Sequence, residues 1–134
     1  MKVDISTVAA ALIGALTAGS AIAGSASYIC SIEGFHVPDH LGEAVAELRG
    51  QDAQRSAMTI DRETGRVIHS SLGNTSFNQI RVLNPGSSDW SFKVMADSGQ
   101  GGHIRYYEVA EYVEGPTKPL IIVADGASYW GQCQ

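Results

Sequence analysis

Residues 58–71, MTIDRETGRVIHSS, bring Asp61, Arg62, Glu63, Arg66 and His69 into one short stretch, denser in chemically active side chains than any other. A carboxylate pair such as Asp61 and Glu63 does acid–base work when its surroundings push the two pKa values apart. Residues two apart in a turn do not share a buried site, and no apolar wall adjoins them in the sequence. The same residues have a second use. Asp61 can hydrogen-bond the backbone that follows it, and Gly65 supplies the positive φ that a hairpin bulge requires. The expectation is a tight turn between two strands, with Arg62, Glu63 and Arg66 in solvent at its tip.

The other candidates are His36, Asp39 and His40, which carry metal-ligand chemistry. Two histidines four apart would share a helix face, but Pro38 interrupts a helix there. Catalytic zinc needs a third protein ligand, and the chain supplies His69 and His103 without placing either near. A solvated loop and helix start is the preferred reading, and a metal-dependent hydrolase using these three residues is the alternative. No G-x-S-x-G elbow occurs, and the nearest text, 126–131, reads as a hairpin entering a strand. The Gly-rich DSGQGG lacks the Lys-Ser/Thr of a phosphate loop. No catalytic residue and no cofactor is assigned.

The elements that must position these groups begin after an export signal. Lys2 precedes the apolar run 8–16, and Ala21-Ile22-Ala23 forms an A-x-A cleavage site, with a second cut available as far as residue 26. No charge occurs from Ile5 to Ile32, so a retained anchor is the rival reading. A span needs about 20 predominantly apolar residues, and this run is diluted with Gly, Ser and Thr. Residues 1–23 are therefore read as a signal peptide and 24–134 as one domain, periplasmic or secreted, with no stable membrane span after cleavage.

Export gives the two cysteines, Cys30 and Cys133, their meaning: in an oxidising compartment they form a disulfide. The net charge of −5 argues against nucleic acid, which is bound through clustered Lys and Arg.

Tyr28–Glu33 alternates as a first strand. HVPDHLGEAVAELRG follows, with Asp39 as helix cap, Leu41, Val45 and Leu48 on one face, and Gly50 where the helix stops. Seven short apolar runs then alternate with turn residues: 57–61, 66–70, 76–84, 90–96, 103–113, 120–124 and 127–133. Such text is that of an antiparallel barrel or sandwich. Residues 103–113 switch face near Tyr106-Tyr107, where a bulge is expected. With eight strands in an up-and-down path, the first and last run antiparallel, which puts Cys30 opposite Cys133 and makes the disulfide the staple of a closed barrel. The fold class is thus all-β, an eight-strand antiparallel barrel or sandwich with one short helix.

Trp130, Tyr107 and Tyr112, with Trp90, are the aromatic candidates for a binding surface. In 127–133, Tyr129 shares parity with Cys133, so Trp130 faces outward. The partner expected is an envelope protein or a glycan.

The signal, the Tyr-x-Cys first strand, IDRETGRVI, SFKVMADSG, EYVEGPTKP and the final YWGQC resemble small exported proteobacterial proteins of uncharacterised function. At the level of plan, eight strands and one disulfide are similar to exported lysozyme-inhibitor barrels. With no catalytic constellation in the sequence, the expected function is that of a non-enzymatic exported envelope protein with a binding role, and the similarity implies inhibition of an envelope enzyme such as lysozyme as an alternative.

Overall fold

A computed structural model describes residues 26–38, 42–100 and 102–134. The signal segment, Asp39, His40 and Leu41 lie outside the described residues. The elements in chain order are β1 (Ser27–His36), α1 (Glu43–Gln54), β2 (Met58–Asp61), β3 (Val67–Ile68), β4 (Gln79–Pro85), β5 (Phe92–Asp97), β6 (Ile104–Val109), β7 (Lys118–Ala124) and β8 (Ala127–Cys133).

All eight strands form one antiparallel sheet in the order β3-β2-β1-β8-β7-β6-β5-β4. The first and last strands are neighbours, and Cys30 pairs with Cys133 across them. The sheet curls so that alternate residues of every strand face one core, among them Tyr28, Met58, Ile60, Phe92, Val94, Tyr107, Val109, Leu120, Ile122 and Tyr129. This period-2 burial is what a curled sheet with one wet face demands.

The ring of strands closes at β1 and β8 but not everywhere. Among the described residues no pairing joins β3 to β4, so the architecture is a half-barrel and not the closed barrel expected. The reason lies in Asn74. Its backbone N–H donates to Val67 O, its side-chain oxygen accepts from Val67 N at 2.7 Å, and its amide donates to Gly65 O. One fully buried residue, through its backbone N–H and its side-chain amide, thus does the hydrogen bonding of a neighbouring strand and seals the short edge of β3. The edge of β4 is blunted differently, by Arg81, a bulge between Val82 and Asn84, and Pro85 at its end.

The helix departs from expectation in extent and in face. It runs from Glu43 to Gln54, passing through Gly50, and follows Gly42 with no side-chain cap. Val45 and Leu48 are exposed, while Gly50 and Ala53 are buried and Ala46 packs on the core. Residues 46, 50 and 53 share a face at helical spacing. Phe35 explains the choice: a Cβ at Gly50 would lie 2.0 Å from its ring. The close approach selects the small stripe over the large one.

Two further differences concern parity. A bulge does occur, in β1 between Ile32 and Gly34, where Glu33 is extra. It carries the first strand on to His36 and turns Phe35 toward Tyr129. β6 needs none: it pairs with β5 without a register shift, leaving Tyr107 and Val109 inside and Ile104 and Tyr106 outside. Trp90 lies in the turn before β5, its carbonyl accepting from Ser87 N.

Candidate functional site

The dense stretch is a hairpin turn. Asp61 Oδ1 accepts from both the backbone N–H and the hydroxyl of Thr64, each at 2.7 Å, and Gly65 takes φ 72°. The Thr64 hydroxyl, and then its N–H, hold the Asp61 carboxyl below its usual pKa, so it stays an ion and gives no general acid near neutrality.

Arg62 is not in solvent as expected. Its guanidinium carbon sits 5.0 Å from the centroid of the Tyr28 ring, and it pairs with Glu111 Oε1 at 2.7 Å. The Tyr28 hydroxyl donates to the same Glu111 oxygen. Burial, followed by the Glu111 hydrogen bond, drives the Tyr28 phenol well above its usual pKa. The trio binds β1, the 61–66 turn and the segment after β6 into one rim. It is a structural clasp, because its only carboxylate is already spent on two partners.

His36 is exposed at the end of β1, opposite Ser128. His69 and His103 are committed elsewhere. His69 Nδ1 accepts from the N–H groups of Ser71 and Leu72, and Nε2 lies 3.0 Å from Ala53 O and 3.1 Å from Ser56 Oγ. Two backbone donors at Nδ1 assign the proton to Nε2, so the ring is neutral. Burial is the main cause that lowers its pKa. His103 Nδ1 contacts Asp125 Oδ1 at 2.5 Å, and Arg105 reaches Oδ2 of the same carboxylate at 3.3 Å. Among the described residues no group of three or more His, Cys, Asp or Glu could hold a metal ion.

Of the aromatic candidates, Tyr107 is buried and is no surface residue. Its hydroxyl donates to Leu72 O at 2.7 Å, and burial pushes its pKa up to about 12. Parity could have placed it inside, since it lies opposite Val94 and Ile122 on the two adjoining strands. Tyr112 is exposed in the segment between β6 and β7, and Trp90 is 67% exposed in its turn.

Trp130 is 47% exposed on the outer face of β8. Across the ladders it opposes Ile121 of β7 and Gly34 of β1. Its ring occupies the space above Gly34, where a Cβ would lie 2.3 Å from it. Ile121 is 50% and Val123 47% exposed, and Val123 opposes Tyr106, which opposes Met95. An apolar band of Trp130, Ile121 and Val123 therefore lies on the outside of β8 and β7, continued by Tyr106 and Met95 beside the Glu108–Lys93 ion pair on β6 and β5. Residue 33 being extra in β1 is what sets Gly34 beside Trp130, a relation that spacing in the sequence could not disclose.

The Cys30–Cys133 bond lies on the inner side of the sheet three residues along β8 from Trp130, its sulfurs bonded at 2.04 Å. No helix of the described residues is long and apolar enough to cross a membrane. A disulfide of this kind fits an oxidising compartment. No family model, no curated protein and no solved structure matches the chain.

Proposed function

We propose that the chain is an exported, non-enzymatic binding protein of the cell envelope, periplasmic or secreted, which engages its partner through the outer face of β7 and β8. The observation that carries the reading is the band formed by Trp130, Ile121 and Val123, half-exposed side chains adjoining on two paired strands. A Trp flanked by aliphatic residues on a rigid sheet has the makeup of an interaction hot spot. Large apolar side chains grouped on a surface are unusual without a partner, whereas scattered ones are ordinary. Trp130 over Gly34 is pre-positioned, so little side-chain freedom is lost on binding.

The partner is an envelope protein or glycan, and an envelope enzyme such as lysozyme, the target that the sequence's resemblance to lysozyme-inhibitor barrels implies, is one member of that class. Affinity enrichment from envelope fractions tests the reading, comparing wild type with a Trp130→Ala, Ile121→Ser variant whose circular dichroism is unchanged. A component, protein or glycan, recovered by wild type and reduced tenfold or more with the variant is expected. Equal recovery by both would refute the assignment of this face.

A further inference from the structure

At the helical end of the half-barrel, α1, the 69–78 connection and the β7–β8 turn enclose a depression of about 160 Å³. Arg49 and Asp52 of α1, Ser71, Leu72, Asp125 and Tyr129 line it. Its polar groups divide into two sets. Both carboxylates already face cations: Asp52 lies 3.4 Å from Arg55, and Asp125 holds His103 and Arg105. The donors are different. Among the described residues the side chains of Arg49, Ser71 and Tyr129 have no hydrogen-bond or ion-pair partner.

We infer that this depression is a binding site for a carboxylate, with Arg49 as its cationic anchor and the Ser71 and Tyr129 hydroxyls as its neutral donors.

Three considerations fix the ligand class. A guanidinium with no ion-pair partner among the described residues, lining one depression with two hydroxyl-bearing side chains, calls for an anion, and a planar carboxylate accepts from guanidinium through two parallel bonds. Asp52 and Asp125 stand at the same depression, so a dianion such as phosphate meets more repulsion than a monoanion does. The volume is below the roughly 300 Å³ where ordinary ligand pockets begin, which suits a two- or three-carbon acid or the last residue of a longer chain. The Leu72 side chain and Tyr129 ring give that residue an apolar wall. Tyr129 is itself almost wholly buried, so its hydroxyl is held in place and not free to leave. The Leu72 backbone is fully used, its N–H by His69 and its carbonyl by Tyr107, which fixes this wall to the core.

The site is at the opposite end from the clasp of Tyr28, Arg62 and Glu111, and it does not depend on the Trp130 face. The experiment is calorimetric titration of the purified, disulfide-bonded protein with N-acetylglycine and with its amide. A second pair, the tripeptide Gly-Gly-Ala with free and with amidated C terminus, is run alongside. Both free acids are expected to bind, each amide at least tenfold more weakly. Arg49→Gln should weaken the acids tenfold or more and Tyr129→Phe severalfold, while Arg66→Gln, an exposed cation in the 61–66 turn at the opposite end, leaves them unchanged. A tighter tripeptide would identify a chain end as the source, and equal affinities a free acid. Acid and amide binding alike, no binding of either acid at millimolar concentration, inorganic phosphate binding more tightly than the acids, or an unaffected Arg49→Gln would each overturn the proposal.

Discussion

Cys30 and Cys133 are directly opposed residues of adjacent antiparallel strands, their Cα atoms 4.0 Å apart, and their sulfurs are bonded. The bond ties the first strand to the last across a sequence separation of 103 residues. Closing a loop of that order removes denatured-state entropy worth about 4–5 kcal/mol. Replacing both cysteines by serine should therefore lower the melting temperature by about 15 °C or more, at the ~4–8 °C per kcal/mol of a domain this size. Calorimetry of the double variant checks this, and an unchanged midpoint would show that the β1–β8 ladder suffices.

The seat of Trp130 can be tested by filling it. A methyl group at residue 34 would lie 2.3 Å from the indole. Gly34→Ala should expel the ring, shift Trp130 fluorescence to the red in a Trp90→Phe background, and cost about 1–3 kcal/mol as overpacking usually does. Retention of the wild-type spectrum would mean the ring has another resting place.

His69 makes stability depend on pH, with a definite sign. Its folded-state pKa is depressed, chiefly by burial, with the Arg105 charge acting the same way. The unfolded chain therefore binds the proton more readily. Stability from the neutral ring is complete above the unfolded value of about 6.5 and is lost as pH falls through the folded pKa. Urea midpoints should fall between pH 7.5 and pH 5 in the wild type. In His69→Gln the midpoint at pH 7.5 should be lower and the dependence flatter. An equally steep dependence in the variant would assign it to other groups.

Much of the architecture was legible in the residues, and the failures share one cause. Turn chemistry located the 61–66 hairpin and the Asp125-Gly126 turn, where φ values of 53° and 81° are found. Parity paired the cysteines and turned Trp130 outward. What escaped was long-range crowding. The small face of α1 is chosen by Phe35, and Arg62 is drawn in by Glu111, some fifty positions away in the chain. The gap between β3 and β4 depends on Asn74 imitating a strand. The depression around Arg49 and Tyr129 joins α1 to β8, with no local spacing to announce it.

The clasp at the other rim offers a coupling measurement. Tyr28 and Arg62 share one oxygen of Glu111. A double-mutant cycle between Tyr28→Phe and Glu111→Gln should give a coupling of about 1–2 kcal/mol, as contacting residues in one polar network do. Additive effects would show that the hydrogen bond contributes nothing net.

The most direct test of the binding face is site-specific photocrosslinking in intact cells. A benzophenone amino acid at position 121 places the probe beside Trp130 on the neighbouring strand, and position 79 on the exposed edge strand serves as control. The expected result is a discrete adduct from position 121, absent from position 79 and lost when Trp130→Ala is added. No adduct at 121, or the same adduct from both positions, would contradict the claim that this face of β7 and β8 binds a partner.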